Sequence, residues 1–297
     1  MKRYQFVIVC CLALGWSVQW SFGWQPAAEQ CPYLDGAPRP FFSAEIGIIP
    51  DARTGDRGPK YAQVEVRSSA DLVYFHDVAY GDLDLGLRFD SLFPLRKSAF
   101  KPPAHLMALV LETRWFWRYV NKTAFELQLA PGFYSSTEDL LDMPLAMPIT
   151  AAGIYTVDPS LALVAGLQLR PGFYHVFVPY GGVVWRPHAQ VRLDATVPDA
   201  RLTVHLDREW SGYAGWSWQS TTYHVKPDAV GRNRLSFTSQ ELYLGISRAL
   251  FEELHLSSSL GWAIDRDVRA TRSRSRRRQT IEIEDALVFR FGVQGAF

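Results

Sequence analysis

The chain has 297 residues, is 48% hydrophobic and 14% aromatic, and sets 31 basic against 30 acidic side chains with only three cysteines. That composition excludes a disordered, collagen-like or disulfide-stapled chain. Beyond the N-terminus every apolar run breaks within about ten residues on a charge, glycine or proline, too soon for a membrane-spanning helix of roughly 20 residues.

Lys2 and Arg3 precede an apolar stretch from Phe6 to Trp16, and Ser21-Phe22-Gly23 follows with small residues at both positions that a signal peptidase reads. Residues 1–23 are therefore expected to be a cleaved secretory signal. Losing them removes Lys2 and Arg3 and no acid, so the net charge goes from +1 to −1. No net basic character remains to suggest nucleic acid. Cys10 and Cys11 leave with the signal. Cys31 then has no disulfide partner, and Ala28-Glu29-Gln30 before it lacks the small residue of a lipid-attachment site. Residues 24–60 mix proline, glycine and charge, and are expected to be a mostly irregular periplasmic lead-in with one strand-like stretch, Phe41 to Ile49.

From residue 61 the period is two. Leu83, Leu85, Leu87 and Phe89 alternate with Asp84, Gly86 and Arg88, and Phe125, Leu127 and Leu129 with Glu126 and Gln128. Val191, Leu193, Ala195 and Val197 oppose Arg192, Asp194 and Thr196, and Leu202, Val204 and Leu206 oppose Arg201, Thr203, His205 and Asp207. Leu254, Leu256, Leu260 and Trp262 oppose His255, Ser257, Ser259 and Gly261. Each is a half-exposed strand. A soluble sandwich would alternate in the same way, but strands of about nine to eleven residues fit a tilted bilayer crossing. Aromatics also crowd the strand ends, at Trp115-Phe116-Trp117-Arg118-Tyr119 and from Trp210 to Trp218, where an interfacial girdle would sit. The expected fold is an all-β, antiparallel, up-and-down transmembrane β-barrel over 61–297. It has fourteen strands if 61–80 forms a hairpin and twelve if it does not.

Long connections are expected near 91–105, 131–148, 171–178, 224–237 and 264–283, and short ones near 118–122, 158–160, 186–188 and 249–252, as in barrels with short periplasmic turns. An octapeptide repeats at a spacing of 40, since 127–134 reads LQLAPGFY and 167–174 reads LQLRPGFY. Both copies should run in one direction and put their Pro-Gly at one rim. A helix competes over 238–254, where Thr238-Ser239-Gln240-Glu241 reads as a capping box and Leu242, Ile246, Leu250 and Leu254 have helical spacing.

In the last strand Leu287, Phe289, Phe291, Val293 and Phe297 face one way, and Ala286, Arg290, Gly292 and Gln294 the other. Arg290, Gly292 and the terminal Phe297 resemble the C-terminal signal by which the assembly machinery recognises outer-membrane barrels; Gly295 stands where a second aromatic is usual. Residues 61–297 thus resemble the uncharacterised bacterial outer-membrane β-barrel families. That resemblance implies a location in the outer membrane, with its lipids and the barrel assembly machinery as partners, and no particular activity.

No phosphate loop, zinc-ligand spacing or nucleophile elbow is present, and the seven histidines are scattered, so no cofactor or metal is expected. The polar faces carry Asp84, Arg88, Glu112, Arg114, Glu126, Arg170, Arg192, Asp194, Arg201, Asp207, Glu241 and Arg290, a mixture of signs that can pair across a lumen. A strongly ion-selective pore would favour one sign. Changing a lumen charge such as Arg290 should cost less than charging the lipid-facing Phe291. Arg266, Arg269, Arg272, Arg274, Arg276, Arg277 and Arg278 read as a surface basic loop that could meet lipopolysaccharide or another surface polyanion. The expected function is non-enzymatic: a passive small-solute channel or a structural, surface-contact barrel. One alternative is a secreted carbohydrate-binding sandwich with Trp210, Trp216 and Trp218 as platform. The other is an outer-membrane lipid hydrolase using His255 and Ser257.

Overall fold

The computed structural model describes residues 41–53, 60–95, 103–119, 122–137, 145–226, 233–251, 254–272 and 275–296. The expected signal segment, Cys31, Arg274 and Phe297 lie outside them. The strands are β1 (Phe41–Arg53), β2 (Lys60–Val78), β3 (Gly81–Pro94), β4 (Leu106–Tyr119), β5 (Thr123–Leu129), β6 (Gly132–Ser136), β7 (Ile149–Asp158) and β8 (Leu161–Leu169). They continue as β9 (Phe177–His188), β10 (Val191–Val197), β11 (Asp199–His205), β12 (Trp210–His224), β13 (Arg234–Phe251), β14 (Leu254–Arg272), β15 (Ser275–Ile283) and β16 (Ala286–Ala296).

Two of these segments continue a strand rather than start one. β5 and β6 keep a single register against β4, with Leu129 opposite Thr113 and Gly132 opposite Val110. The break falls at Pro131, which has no N–H to give to a ladder. β15 and β16 likewise keep one register against β14, with Ile283 opposite Arg266 and Ala286 opposite Ala263. Antiparallel pairing runs round the sheet, and β1 closes on β16 from Phe41 opposite Ala296 to Ile48 opposite Phe289. The fold is a closed antiparallel barrel of 14 strands, as the alternation predicts.

Alternation builds the wall because a pleated strand sends successive side chains to opposite faces. Leu109, Leu111, Leu163, Leu167, Leu242, Leu244 and Ile246 are exposed outside, while Val110, Ile154, Val164, Val184 and Val288 are buried inside. The β2–β3, β4–β5, β7–β8, β9–β10, β11–β12 and β13–β14 turns share one rim with Phe41 and Ala296. The Pro-Gly of both octapeptide copies lies at the opposite rim, at the ends of β5 and β8.

Three expectations need correction. The irregular lead-in does not extend to residue 60, because β1 is a full barrel strand with Ile46 and Ile48 exposed outside and Ile49 buried inside. Without it β2 and β16 would be two unpaired edges in a wall that must leave none. The region 61–80 is one strand of 19 residues ending at Val78, not a hairpin, so β1 makes up the count. The competing helix over 238–254 is absent: β13 pairs along its length with β12 and β14, and pairing on both sides overrides local helical spacing.

Candidate functional site

The lumen is organised around Arg290 on β16. Its Nε donates to both Glu241 oxygens at 2.9 and 3.1 Å, and its Nη1 donates to Glu45 at 3.0 Å and Glu65 at 3.1 Å. Glu65 also accepts from Gln63 at 2.7 Å and from Arg67 at 2.9 Å, and Arg67 reaches across the lumen to Gln219 on β12. Glycines make room for this cluster. A Cβ at Gly47 would come within 2.8 Å of the Arg290 guanidinium, and one at Gly261 within 2.5 Å of Glu241. Arg290 therefore does more than the sequence suggested: among the described residues its loss would take the cationic partner from Glu45 and Glu241 and leave Glu65 to Arg67 alone. Breaking such a buried group costs about 3 to 5 kcal/mol, so the expectation that a change at Arg290 is cheap does not stand.

The other polar residues also meet partners. Arg114 donates to Asp84 at 3.0 Å, Arg88 bonds Glu112 and lies 3.2 Å from Asp90, and Arg192 binds both oxygens of Asp194 on its own strand. Arg201 stacks over Tyr213 at 4.1 Å, and Glu126 is buried. Asp207 is a correction: it sits in the exposed β11–β12 turn and accepts from the N–H groups of Glu209 and Trp210. Gly292 stands where a Cβ would meet Ser257 Oγ at 2.7 Å.

The basic run is also corrected. Arg266 and Arg269 belong to β14, not to a surface loop; Arg266 is buried and donates to the Glu284 carbonyl at 3.1 Å, and Arg269 donates to Asp267 at 2.7 Å. β14 stays paired with β13 as far as Thr271 and with β15 as far as Arg272, so charge that composition assigns to solvent sits in the sheet. Arg272 closes β14, and Arg276, Arg277 and Arg278 lie on the backbone of β15.

At the rim carrying the longer connections the opposite walls touch. The end of β12 bridges β6 in parallel, His224 beside Ser135, although β7 to β11 separate these strands round the ring. Leu92, Leu106, Val110, Ala130, Tyr134, Phe173 and Tyr223 pack together there as an apolar cluster. Below it lies a chamber of about 330 Å³, lined by Arg67, Arg88, Arg170 and Arg266, by Glu65, Asp90, Glu112 and Asp267, and by Gln128, Gln168 and Gln219. Sequence reasoning missed this chamber, because its lining comes from strands far apart along the chain.

His255 and Ser257 flank the exposed Leu256 and so face inward. Trp210 lies under Arg248 at one end of β12 and Trp218 against His175 toward the other. Eight residues of strand separate them, about 27 Å, too far for one sugar platform.

No family model matches the chain, and no curated protein matches its sequence. Among solved structures the chain is similar to an outer-membrane channel from Pseudomonas putida F1, at 10% identity and a TM-score of 0.41 over 93% of this chain and 100% of that one. It is also similar to the KdgM porin in complex with disordered oligogalacturonate, at 7% identity and a TM-score of 0.36 over 86% and 99% of the two chains. A third likeness is to the translocator domain of the autotransporter NalP from Neisseria meningitidis, at 10% identity and a TM-score of 0.38 over 87% and 89%. At these values the likeness concerns barrel architecture alone.

Proposed function

We propose that the protein is an outer-membrane barrel that lets small polar solutes pass through a narrow lumen, with its outer mouth shut in this conformation. The observation that carries this reading is the polar chamber of about 330 Å³ inside a wall whose outer face is apolar. A band that includes Ile46, Leu111, Leu163, Leu244, Phe289 and Phe291 is exposed, and contiguous exposed apolar surface marks a face that meets something other than water. Hydrocarbon covers such a band. Trp115, Trp117, Tyr155, Trp185 and Trp210 lie within a few residues of the short turns, the level at which aromatic girdles meet headgroups. The short turns then face the periplasm, and Arg290, Gly292 and Phe297 serve assembly. The chamber is at the small end of ligand pockets.

The test is swelling of liposomes holding the full chain, in isosmotic arabinose, with Ser135→Cys and His224→Cys introduced together across the mouth. Neighbouring strands lie about 4.8 Å apart, close enough for a disulfide. Swelling that stops on oxidation and returns on reduction is the expected result. A folded barrel that passes nothing in either state would instead be a sealed structural protein. The Arg276 to Arg278 segment at the same rim supports a second contact, with surface lipopolysaccharide phosphates, which should weaken as salt rises.

A further inference from the structure

The chamber holds four arginines and four acids, yet the charges do not cancel in pairs. Glu65 is held by Arg67 and Arg290, Asp90 and Glu112 by Arg88, and Asp267 by Arg269. Each acid is thereby engaged. Among the described residues, Arg170 and Arg266 have no carboxylate at ion-pair distance. Arg266 at least has Glu65 and Asp285 nearby. Arg170 has no acid acting on it in this way: it donates to the Ser220 carbonyl, lies 4.4 Å from the Phe173 ring centre, and the groups whose charge acts on it are Arg88 and the Tyr134 phenol.

We infer that this chamber is an anion subsite, in which the guanidinium of Arg170 binds a small solute through its carboxylate or phosphate oxygens. This rests on the solute-passage reading. A guanidinium offers five N–H donors, so one backbone carbonyl leaves most of its capacity unused. A half-buried cation without a counter-charge carries a desolvation cost, whereas an anionic group can take two parallel donors at once. Burial in the connection after β8 lowers the Arg170 pKa to about 10, which still leaves it charged at neutral pH. Gln128 and Gln168 in the lining supply amide groups for the rest of a small polar molecule. The position is also singular in sequence, since Arg170 is the one residue at which the second octapeptide differs from the first, where Ala130 stands.

The experiment is calorimetric titration of the detergent-solubilised full chain, its fold checked by heat modifiability, with succinate, inorganic phosphate and arabinose. Saturable uptake of succinate or phosphate is expected, with arabinose silent, and the tighter of the two anions tells carboxylate solutes from phosphorylated ones. Arg170→Gln should weaken uptake at least tenfold, Arg170→Lys should weaken it less, and Arg192→Gln, whose partner is Asp194, should leave it unchanged. No saturable anion uptake by the unaltered barrel would overturn the inference. So would unchanged affinity in Arg170→Gln or, if that variant does not fold, in Arg170→Lys. Uptake without liposome swelling would sink the passage reading and leave the subsite, and swelling without uptake would do the reverse.

Discussion

The two copies of the octapeptide, 127–134 and 167–174, run in the same direction to the same rim and then part ways. In the first the strand survives its proline: β6 resumes the register against β4, sending Phe133 outward, 43% exposed, and Tyr134 inward. In the second the strand stops at Leu169, and the chain turns through Gly172, at φ +87°, closed by bonds from Arg170 N–H to Val176 and from Phe173 N–H to Arg170. Here Phe173 goes inward and meets Tyr134 edge to face at 4.9 Å. Neighbours make the difference. β4 extends to Leu106 and offers the first copy a ladder beyond Pro131, whereas β7 ends level with Leu169, at Ile149, and offers the second copy none. One local sequence serves as wall in one place and as stopper in the other.

The largest effect should come from making the first copy read like the second. Ala130 is buried in the mouth cluster with Leu106, Val110 and Tyr134, so Ala130→Arg drives an unpaired guanidinium into apolar packing at a cost of several kcal/mol. We expect little heat-modifiable barrel to form. A variant as stable as the parent in urea would mean that this site opens easily to water. Next come the phenylalanines, which share a place in the repeat and not a setting. Phe173→Ala should destabilise by about 3 to 5 kcal/mol and Phe133→Ala by well under that, read from urea midpoints in vesicles. Equal losses would contradict the inward and outward assignments.

The paired glycines give a smaller, qualitative contrast. At Gly172 an added Cβ meets nothing within 4 Å, so only the left-handed backbone requires glycine. At Gly132 the Cβ would lie 2.8 Å from the Leu109 carbonyl oxygen, so space requires it. Asparagine tolerates the left-handed region, so Gly172→Asn should cost no more than about 1 kcal/mol. Gly132→Asn should cost clearly more. The reverse order would show that the second turn is not held as described.

Why the barrel was legible and the chamber was not follows from the same pleat. Along any strand, lipid demands an apolar residue at every second position, and that demand is written locally, as in Leu83 to Phe89 or Leu287 to Phe291. The inward face answers to neighbours across the lumen, which no window of sequence contains. Glu45, Glu65, Glu241 and Arg290 come from four strands, and the bond from Arg67 to Gln219 spans 152 positions. β1 was only half visible because Pro50 and the charged residues after it masked a short but regular alternation. The arginine run misled because Arg266 and Arg269 sit on a strand that its partner follows upward.

The smallest effect on stability should come from the substitution that makes the second copy identical to the first. Arg170→Ala gives up a bond to the Ser220 carbonyl and the stacking on Phe173, and it also relieves the burial of a charge with no acid beside it. These terms oppose, and a net change within about 1 kcal/mol is expected. If neighbours choose the conformation, the two identical octapeptides will still differ. Amide exchange should then show the residue at 172 open to solvent in the turn, while Gly132, whose N–H bonds the Ala146 carbonyl at 2.8 Å, stays protected. Protection at Gly172 equal to that at Gly132 would mean that the arginine, and not the missing ladder, ends β8.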